Sequence, residues 1–284
     1  MIKFNYHSHT TYCDGINTME EMVESAIEKG LKYYGISSHA PVPFETDWTM
    51  PSDKLESYLA EVDRIKGKYG DRINIFKGLE IDYIPGIGAM HIDRGIIEGL
   101  DYIVGSVHYL AHFDNGVMWT VDYNRDELEQ GIKESFGGNT REAVEFYYKC
   151  VGDMALELKP DILGHLDLIK KSNSGNYFFD EKEKWYVDAI MDCLGKIKEG
   201  GSIVEVNSGG KARGYTTEYY PSDWIISEMI KVDIPMTVSG DSHTVEGVDY
   251  EFEEMLEKLR ELGCEKVKLL TENGWEDMDI REVL

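Results

Sequence analysis

Cysteine is scarce in this 284-residue sequence: only Cys13, Cys150, Cys193 and Cys264 occur, far apart and without a C-x-x-C pair. That spacing disfavours a thiolate zinc site and a dense disulfide framework, and it suits a reducing compartment. Basic side chains are few as well. Against 54 Asp and Glu stand 29 Lys and Arg, a net charge of -25 with His neutral. Such a surface repels phosphate backbones and anionic headgroups at long range, so neither nucleic acid nor membrane is an expected partner. No stretch supplies the roughly 18 uncharged apolar residues of a membrane span. The opening Met-Ile-Lys-Phe-Asn-Tyr-His has no long apolar secretory core, and a cytoplasmic location is expected. No Pro/Ser-rich linker, low-complexity run or fixed-period repeat divides the chain, so a single domain over 1–284 is the economical expectation.

What the chain does contain is enough apolar surface to fold, 42% hydrophobic and 11% aromatic, so its acidity does not signal disorder. Seven short β-branched or aromatic runs read as strands: Ile2–Tyr6, Tyr33–Ser37, Ile73–Glu80, Tyr102–Val107, Ile162–Gly164, Ile203–Val206 and Met236–Ser239. Amphipathic segments separate them. The first, Thr18-Met19-Glu20-Glu21, is a capping box followed by Met22, Val23, Ala26 and Ile27 at helical spacing and by Gly30 as a stop. Further stripes appear at Leu55 to Ile65, Trp185 to Ile197 and Phe252 to Leu262. Alternating strands and helices predict an α/β fold with a parallel sheet, either closed into a barrel or left open. The longest departure, 109–160, holds an aromatic loop and helical sequence broken at Gly137-Gly138-Asn139, and it is a candidate lid.

Six of the eight histidines, His7, His9, His39, His108, His165 and His243, fall at or just beyond the carboxyl end of a predicted strand. Barrels of this kind place their chemistry at that face, where the βα loops converge. Glu80 and Asp241 share the position, and Glu80 ends an apolar run where an unpaired charge is costly. In a strand, H-x-H turns both imidazoles to one side, so His7-Ser8-His9 suits one ion or two neighbouring ones, and Asp241-Ser242-His243 repeats the spacing. A single strand-end His is more often a hydrogen-bonded core or surface residue. Six together, with two carboxylates, point to an open site for zinc, iron or manganese. His91 and His112 lack the placement and are expected to be structural or lid residues.

The series His7-Ser8-His9-Thr10 with Asp14-Gly15, Ser38-His39, Gly78-Leu79-Glu80, Gly105-Ser106-Val107-His108, Gly164-His165-Leu166-Asp167 and Gly240-Asp241-Ser242-His243 resembles the polymerase and histidinol phosphatase (PHP) superfamily. The contexts Gly-Leu-Glu-Ile-Asp-Tyr-Ile-Pro-Gly and Gly-Ser-Val-His-Tyr are similar to its histidinol-phosphatase branch. The resemblance implies a distorted (β/α)7 barrel with two to three divalent transition metals at the strand ends. Its ligands would be His7, His9, Asp14, His39, Glu80, His108, His165, Asp241 and His243. Read by residue chemistry alone, Asp14-Gly15 fits an ordinary turn equally well.

Related phosphatases hold substrate phosphate with arginines, after Gly-His-x-Asp and around the sixth strand. Here Lys170 and Lys171 stand in the first place, Lys211 and Arg213 in the second. Lys170, Lys211 and Arg213 are the expected phosphate contacts, the last two foremost. A Lys offers a point charge where Arg offers a fork. The function implied is metal-dependent hydrolysis of a small phosphate monoester, L-histidinol phosphate to L-histidinol and phosphate. Ion-bound water is the nucleophile, and Asp241 or His243 assists the leaving alkoxide. Another small phosphate ester or a nucleotide as substrate, and an inactive metal-binding module, are the competing readings.

Overall fold

At Thr18 the capping box forms as its spacing requires: the hydroxyl accepts from the Glu21 amide at 3.3 Å, and the Glu21 carboxylate accepts from the Thr18 amide at 2.8 Å. A helix starts there with Met19, Met22, Val23 and Ala26 turned inward. The same strand–helix unit repeats along the computed structural model, which describes residues 2–283. In chain order the strands are β1 (Lys3–Asn5), β2 (Leu31–Ile36), β3 (Asn74–Asp82), β4 (Tyr102–Ser106), β5 (Tyr109–His112), β6 (Met118–Thr120), β7 (Ile162–Leu163), β8 (Ile203–Asn207), β9 (Met236–Ser239), β10 (Lys266–Thr271) and β11 (Gly274–Asp279). The helices are α1 (Met19–Glu28), α2 (Leu55–Tyr69), α3 (Arg94–Glu98), α4 (Arg125–Ser135), α5 (Thr140–Glu157), α6 (Lys184–Gly200), α7 (Gly209–Ala212), α8 (Asp223–Lys231), α9 (Phe252–Glu261) and α10 (Ile280–Val283).

Seven strands pair in parallel in the order β1-β2-β3-β4-β7-β8-β9, and these are the seven read from the sequence. The two edges then meet. Ser8 bridges Ser242 in parallel, with the His9 amide on the Ser242 carbonyl at 2.8 Å and the Ser242 amide on the His7 carbonyl at 3.1 Å. Asn5 rivets the seam, donating to Ser242 Oγ at 3.0 Å and accepting from the Gly240 amide at 3.0 Å. The sheet is therefore a nearly closed (β/α)7 barrel, which settles the choice that periodicity left open. Tyr102 fills its interior: a Cβ at Gly35 would lie 2.2 Å from the Tyr102 hydroxyl, so that close approach needs glycine.

Two hairpins lie outside the seven expected strands. In hairpin β10–β11, β10 packs beside β9, and the Tyr6 hydroxyl pins it by donating to the Leu270 carbonyl at 2.8 Å and accepting from its amide at 3.0 Å. Hairpin β5–β6 opens the 109–160 segment. Trp119 anchors it, fully buried with its ring against Gly131 and its N–H on Ser135 Oγ at 2.9 Å. The helical sequence that follows breaks where Gly137-Gly138-Asn139 placed the break, between α4 and α5, and α5 packs along α6. All four cysteines are free thiols. Among the described residues no helix is long and apolar enough to cross a membrane.

Candidate metal centre

The barrel strands deliver their polar side chains by simple counting. His7, His108, His165 and Asp241 each stand two residues beyond the last residue of β1, β4, β7 and β9, so each turns to the same side as the strand's final inward residue. β3 runs on to Asp82, two residues past the expected end, and carries Glu80 inside the barrel. Asp241 adopts φ +44°, a left-handed conformation that turns the chain between Asp241 and His243.

Glu80 is the hub. It is wholly buried, and its Oε2 lies 2.8 Å from His39 Nδ1, 3.3 Å from His7 Nε2 and 3.5 Å from His9 Nε2. Its Oε1 accepts from Ser106 Oγ at 2.6 Å and lies 3.1 Å from His165 Nε2 and 3.8 Å from His108 Nε2. Asp241 Oδ1 stands 3.2 Å from His9 Nε2 and 3.5 Å from His243 Nδ1. Asp14 reaches His243 Nε2 at 3.2 Å, His39 Nε2 at 3.7 Å and His9 Nδ1 at 3.8 Å, so the Asp14-Gly15 turn also supplies a converging carboxylate.

These nine residues form four overlapping groups whose donor atoms lie within 4.8 Å of one another: His9, Asp14, His39 and His243; His7, Glu80 and His165; His7, His9 and Asp241; His39, Glu80 and His108. His91 and His112 belong to none of them. Four of the donor atoms, His7 Nε2, His9 Nε2, His39 Nδ1 and Glu80 Oε2, are buried without any hydrogen-bond partner. Leaving that many polar atoms unpaired costs far more than a typical hydrogen bond returns, whereas one bound cation satisfies several at once. The donor set, imidazole and carboxylate without thiolate, fits zinc, iron or manganese. The electrostatics agree. Burial alone raises a carboxyl, yet the His39 and His7 imidazoles hold Glu80 well below the carboxylate range. Burial, then the neighbouring His243 and His39 rings, holds His9 well below the usual imidazole value.

Above the cluster opens a cavity of about 800 Å³. Trp48 forms one wall, its ring 4.6 Å from that of His39 and 5.2 Å from that of His108. Thr120, Asp122 and Tyr123, from the end of hairpin β5–β6, form another. Arg213 enters from the end of α7, its Nη2 2.8 Å from Asp241 Oδ2. Lys171 lines the cavity beside Tyr215, 4.4 Å above that ring, and is tied to Asp122 at 3.2 Å.

Two of the three expected phosphate contacts are corrected by this placement. Lys170 is 7% exposed and turned away from the cavity into an ion pair with Asp167 and Glu218, both at 3.0 Å. Lys211 pairs with Glu251 at 2.5 Å and lies over Tyr219. A lysine follows its nearest carboxylate, and Asp167 and Glu251 claim these two. Arg213 lines the cavity, and Lys171, not Lys170, is the lysine of its pair that faces it.

Sequence reasoning passed over two acidic side chains that grip the imidazoles from behind. Asp82 Oδ1 is 2.8 Å from His108 Nδ1; burial disfavours the charged ring, but Asp82 pushes it up to about 10. Glu205 faces His7 Nδ1 at 3.0 Å. Both are charges within apolar strand runs, the signal that singled out Glu80.

The PHP domain pattern matches residues 5–209. A histidinol-phosphatase of Bacillus subtilis is 28% identical over 275 residues, which cover 91% of this chain and 100% of its own. A crystal structure from Listeria monocytogenes, 26% identical, superposes with a TM-score of 0.78 over 89% of this chain and 99% of its own. The histidinol phosphate phosphatase of Lactococcus lactis, complexed with zinc, L-histidinol and phosphate, shares the fold at a TM-score of 0.70 and 16% identity, covering 96% of this chain and 98% of its own.

Proposed function

This chain belongs to the PHP domain family, and from that premise we propose that it is a metal-dependent phosphomonoesterase that hydrolyses L-histidinol phosphate to L-histidinol and phosphate. The observation that carries the reading is the set of unpartnered imidazole and carboxylate atoms around Glu80, on the floor of a cavity whose wall bears Arg213 and Lys171. The full-length similarity to a histidinol-phosphatase supports the choice of ester. The centre holds two to three divalent ions, zinc, iron or manganese, on His7, His9, Asp14, His39, Glu80, His108, His165, Asp241 and His243. We place the protein in the cytoplasm, in keeping with its free thiols.

Bound divalent ions supply Lewis acidity and ionise water at neutral pH. The protein's own part is placement. Arg213, its Nη2 engaged by Asp241 and its Nη1 beside His243 Nδ1 at 2.5 Å, keeps its remaining N–H groups for the phosphate oxygens, where charge-assisted bonds strengthen as negative charge moves onto them. Lys171, on the segment that follows the neighbouring strand β7, adds a second positive charge. The side chain of His243 is 15% exposed against 6% for Asp241. Asp241 or His243 assists proton delivery to the departing alkoxide, both standing at the cavity beside Arg213. Trp48 and Tyr123 offer ring faces to the imidazole end of the substrate, which gives the hairpin side of the 109–160 segment its role as cavity wall.

Phosphate release by protein loaded with zinc, manganese or iron tests this, with L-histidinol phosphate measured beside serine phosphate, ethanolamine phosphate and a nucleoside monophosphate. A preference of at least about tenfold in kcat/KM for L-histidinol phosphate is expected, since a recognised polar group adds that much discrimination or more. Equal turnover of all four would assign a general small-ester phosphatase. Metal-replete protein inert on every ester would assign a binding module.

A further inference from the structure

Glu205 has no part in the reaction described above, yet it is wholly buried in the middle of β8, where an unused charge is expensive. Its Oε1 is pinned by two donors, the His165 amide at 2.9 Å and Asn207 Nδ2 at 2.7 Å, and also lies 3.1 Å from His7 Nδ1. Its Oε2 faces His7 Nδ1 alone, at 3.0 Å. One carboxylate thus ties the ends of β1, β7 and β8 together beneath the cluster. An ionised carboxylate only accepts hydrogen bonds, so the nitrogen facing it carries the proton. His7 Nδ1–H donates to Glu205, and Nε2 is left bare. Nε2 is the atom that turns toward Glu80 Oε2 at 3.3 Å and Asp241 Oδ1 at 3.8 Å without a hydrogen-bond partner.

We propose that Glu205 is a positioning residue of the metal centre, holding His7 in the tautomer and orientation that present Nε2 to an ion. The inference rests on the metal-dependent reading of the site and names a residue through which that site is assembled. It makes a specific claim about glutamine at this position. In Glu205→Gln the amide oxygen stays where two donors already pin it, at the Oε1 position. The –NH2 group then takes the Oε2 position and donates to His7 Nδ1. With a donor in place of an acceptor 3.0 Å from Nδ1, the His7 tautomer that carries its proton on Nε2 is favoured and blocks the ligand atom, while the volume and the ties to β7 and Asn207 are kept.

Zinc affinity measured by competition with a chromogenic chelator, zinc per chain by elemental analysis, and the Tm of the metal-free protein test this together. Glu205→Gln is expected to weaken zinc about 10–100-fold at one ion, the usual cost of losing such a support, with a metal-free Tm close to that of the parent. In a His7→Ala background the same change is expected to weaken zinc no further, because the supported ring is gone. Parental zinc affinity in Glu205→Gln, or an equal loss with and without His7, overturns the proposal. If Glu205→Gln does not fold, 15N-histidine NMR of the metal-free parent decides: a proton on His7 Nδ1 supports the assignment, and His7 protonated on Nε2 alone overturns it. A parent protein that binds no zinc, iron or manganese would sink the proposed function; a zinc-binding parent with an indifferent Glu205 sinks only this inference.

Discussion

The two mouths of the barrel are built from the same strands and differ in how they treat charge. At the amino-terminal mouth, a cleft of about 480 Å³ between hairpin β10–β11 and the start of β3 is lined by Ile73, Ile75, Phe76 and Leu270. Two of its charges are paired with each other: Lys66 meets Asp101 at 2.7 Å, and Asp101 also accepts from the Lys77 amide at 2.7 Å. At the carboxyl-terminal mouth, imidazole and carboxylate atoms are buried close together and left unpaired. The first arrangement lowers the free energy of the chain by itself. The second is costly until a cation arrives, and that asymmetry marks one end as scaffold and the other as the working site.

The contrast breaks most sharply if Glu80 is dispensable. Glu80→Ala or His165→Ala should lose bound metal and at least about 100-fold in turnover together, since ligand removal exceeds the 10–100-fold cost of losing a supporting group; elemental analysis beside phosphate release reads both. Retained metal with full turnover would remove either residue from the centre. At the other mouth, Leu270, 4% exposed, is a packing residue. Leu270→Ala should cost about 2–5 kcal/mol in urea unfolding with kcat/KM and zinc content unchanged under folding conditions.

Arg213→Ala should sharpen the division within the working end. It should lower kcat/KM by an amount equivalent to about 1.5–3 kcal/mol, the worth of a hydrogen bond to a charged group, while metal content stays intact; unchanged kinetics would take Arg213 out of the substrate site. The smallest effect belongs to a paired charge beside the start of β1, away from the cavity. Asp249 lies 2.8 Å from Lys29 and 3.2 Å from Lys3. Partial burial raises its carboxyl, but these two lysines hold it below its ordinary 3.8. A depressed carboxyl contributes its stability above the unfolded value and loses it as pH falls below about 3.8. Asp249→Asn should therefore cost under about 1 kcal/mol at pH 7, with the difference from the parent vanishing in acid; thermal unfolding at the two pH values measures it.

Much of the working end was legible because strand-end residues are placed by counting. Once Ile162–Leu163 or Tyr102–Ser106 is a strand, His165 and His108 must stand at its outlet. The hairpins were less visible. Tyr109–His112 and Met118–Thr120 are short and mixed in polarity, and only the burial of Trp119 against Gly131 explains their pairing. The lysines misled for a different reason. Lys170 and Lys171 are neighbours of like charge, and which one faces the cavity depends on Asp167 and Glu218, brought beside Lys170 by the fold.

By itself, then, the order of residues determined the alternation of elements and which donors each strand carries to its carboxyl end, because side-chain direction is a local property of backbone geometry. Closure of the sheet at Ser8 and Ser242, the grip of Glu205 on His7, and the choice between adjacent lysines were decided only in three dimensions. Each depends on an atom far away in sequence arriving within hydrogen-bonding distance, and only the folded chain sets such distances.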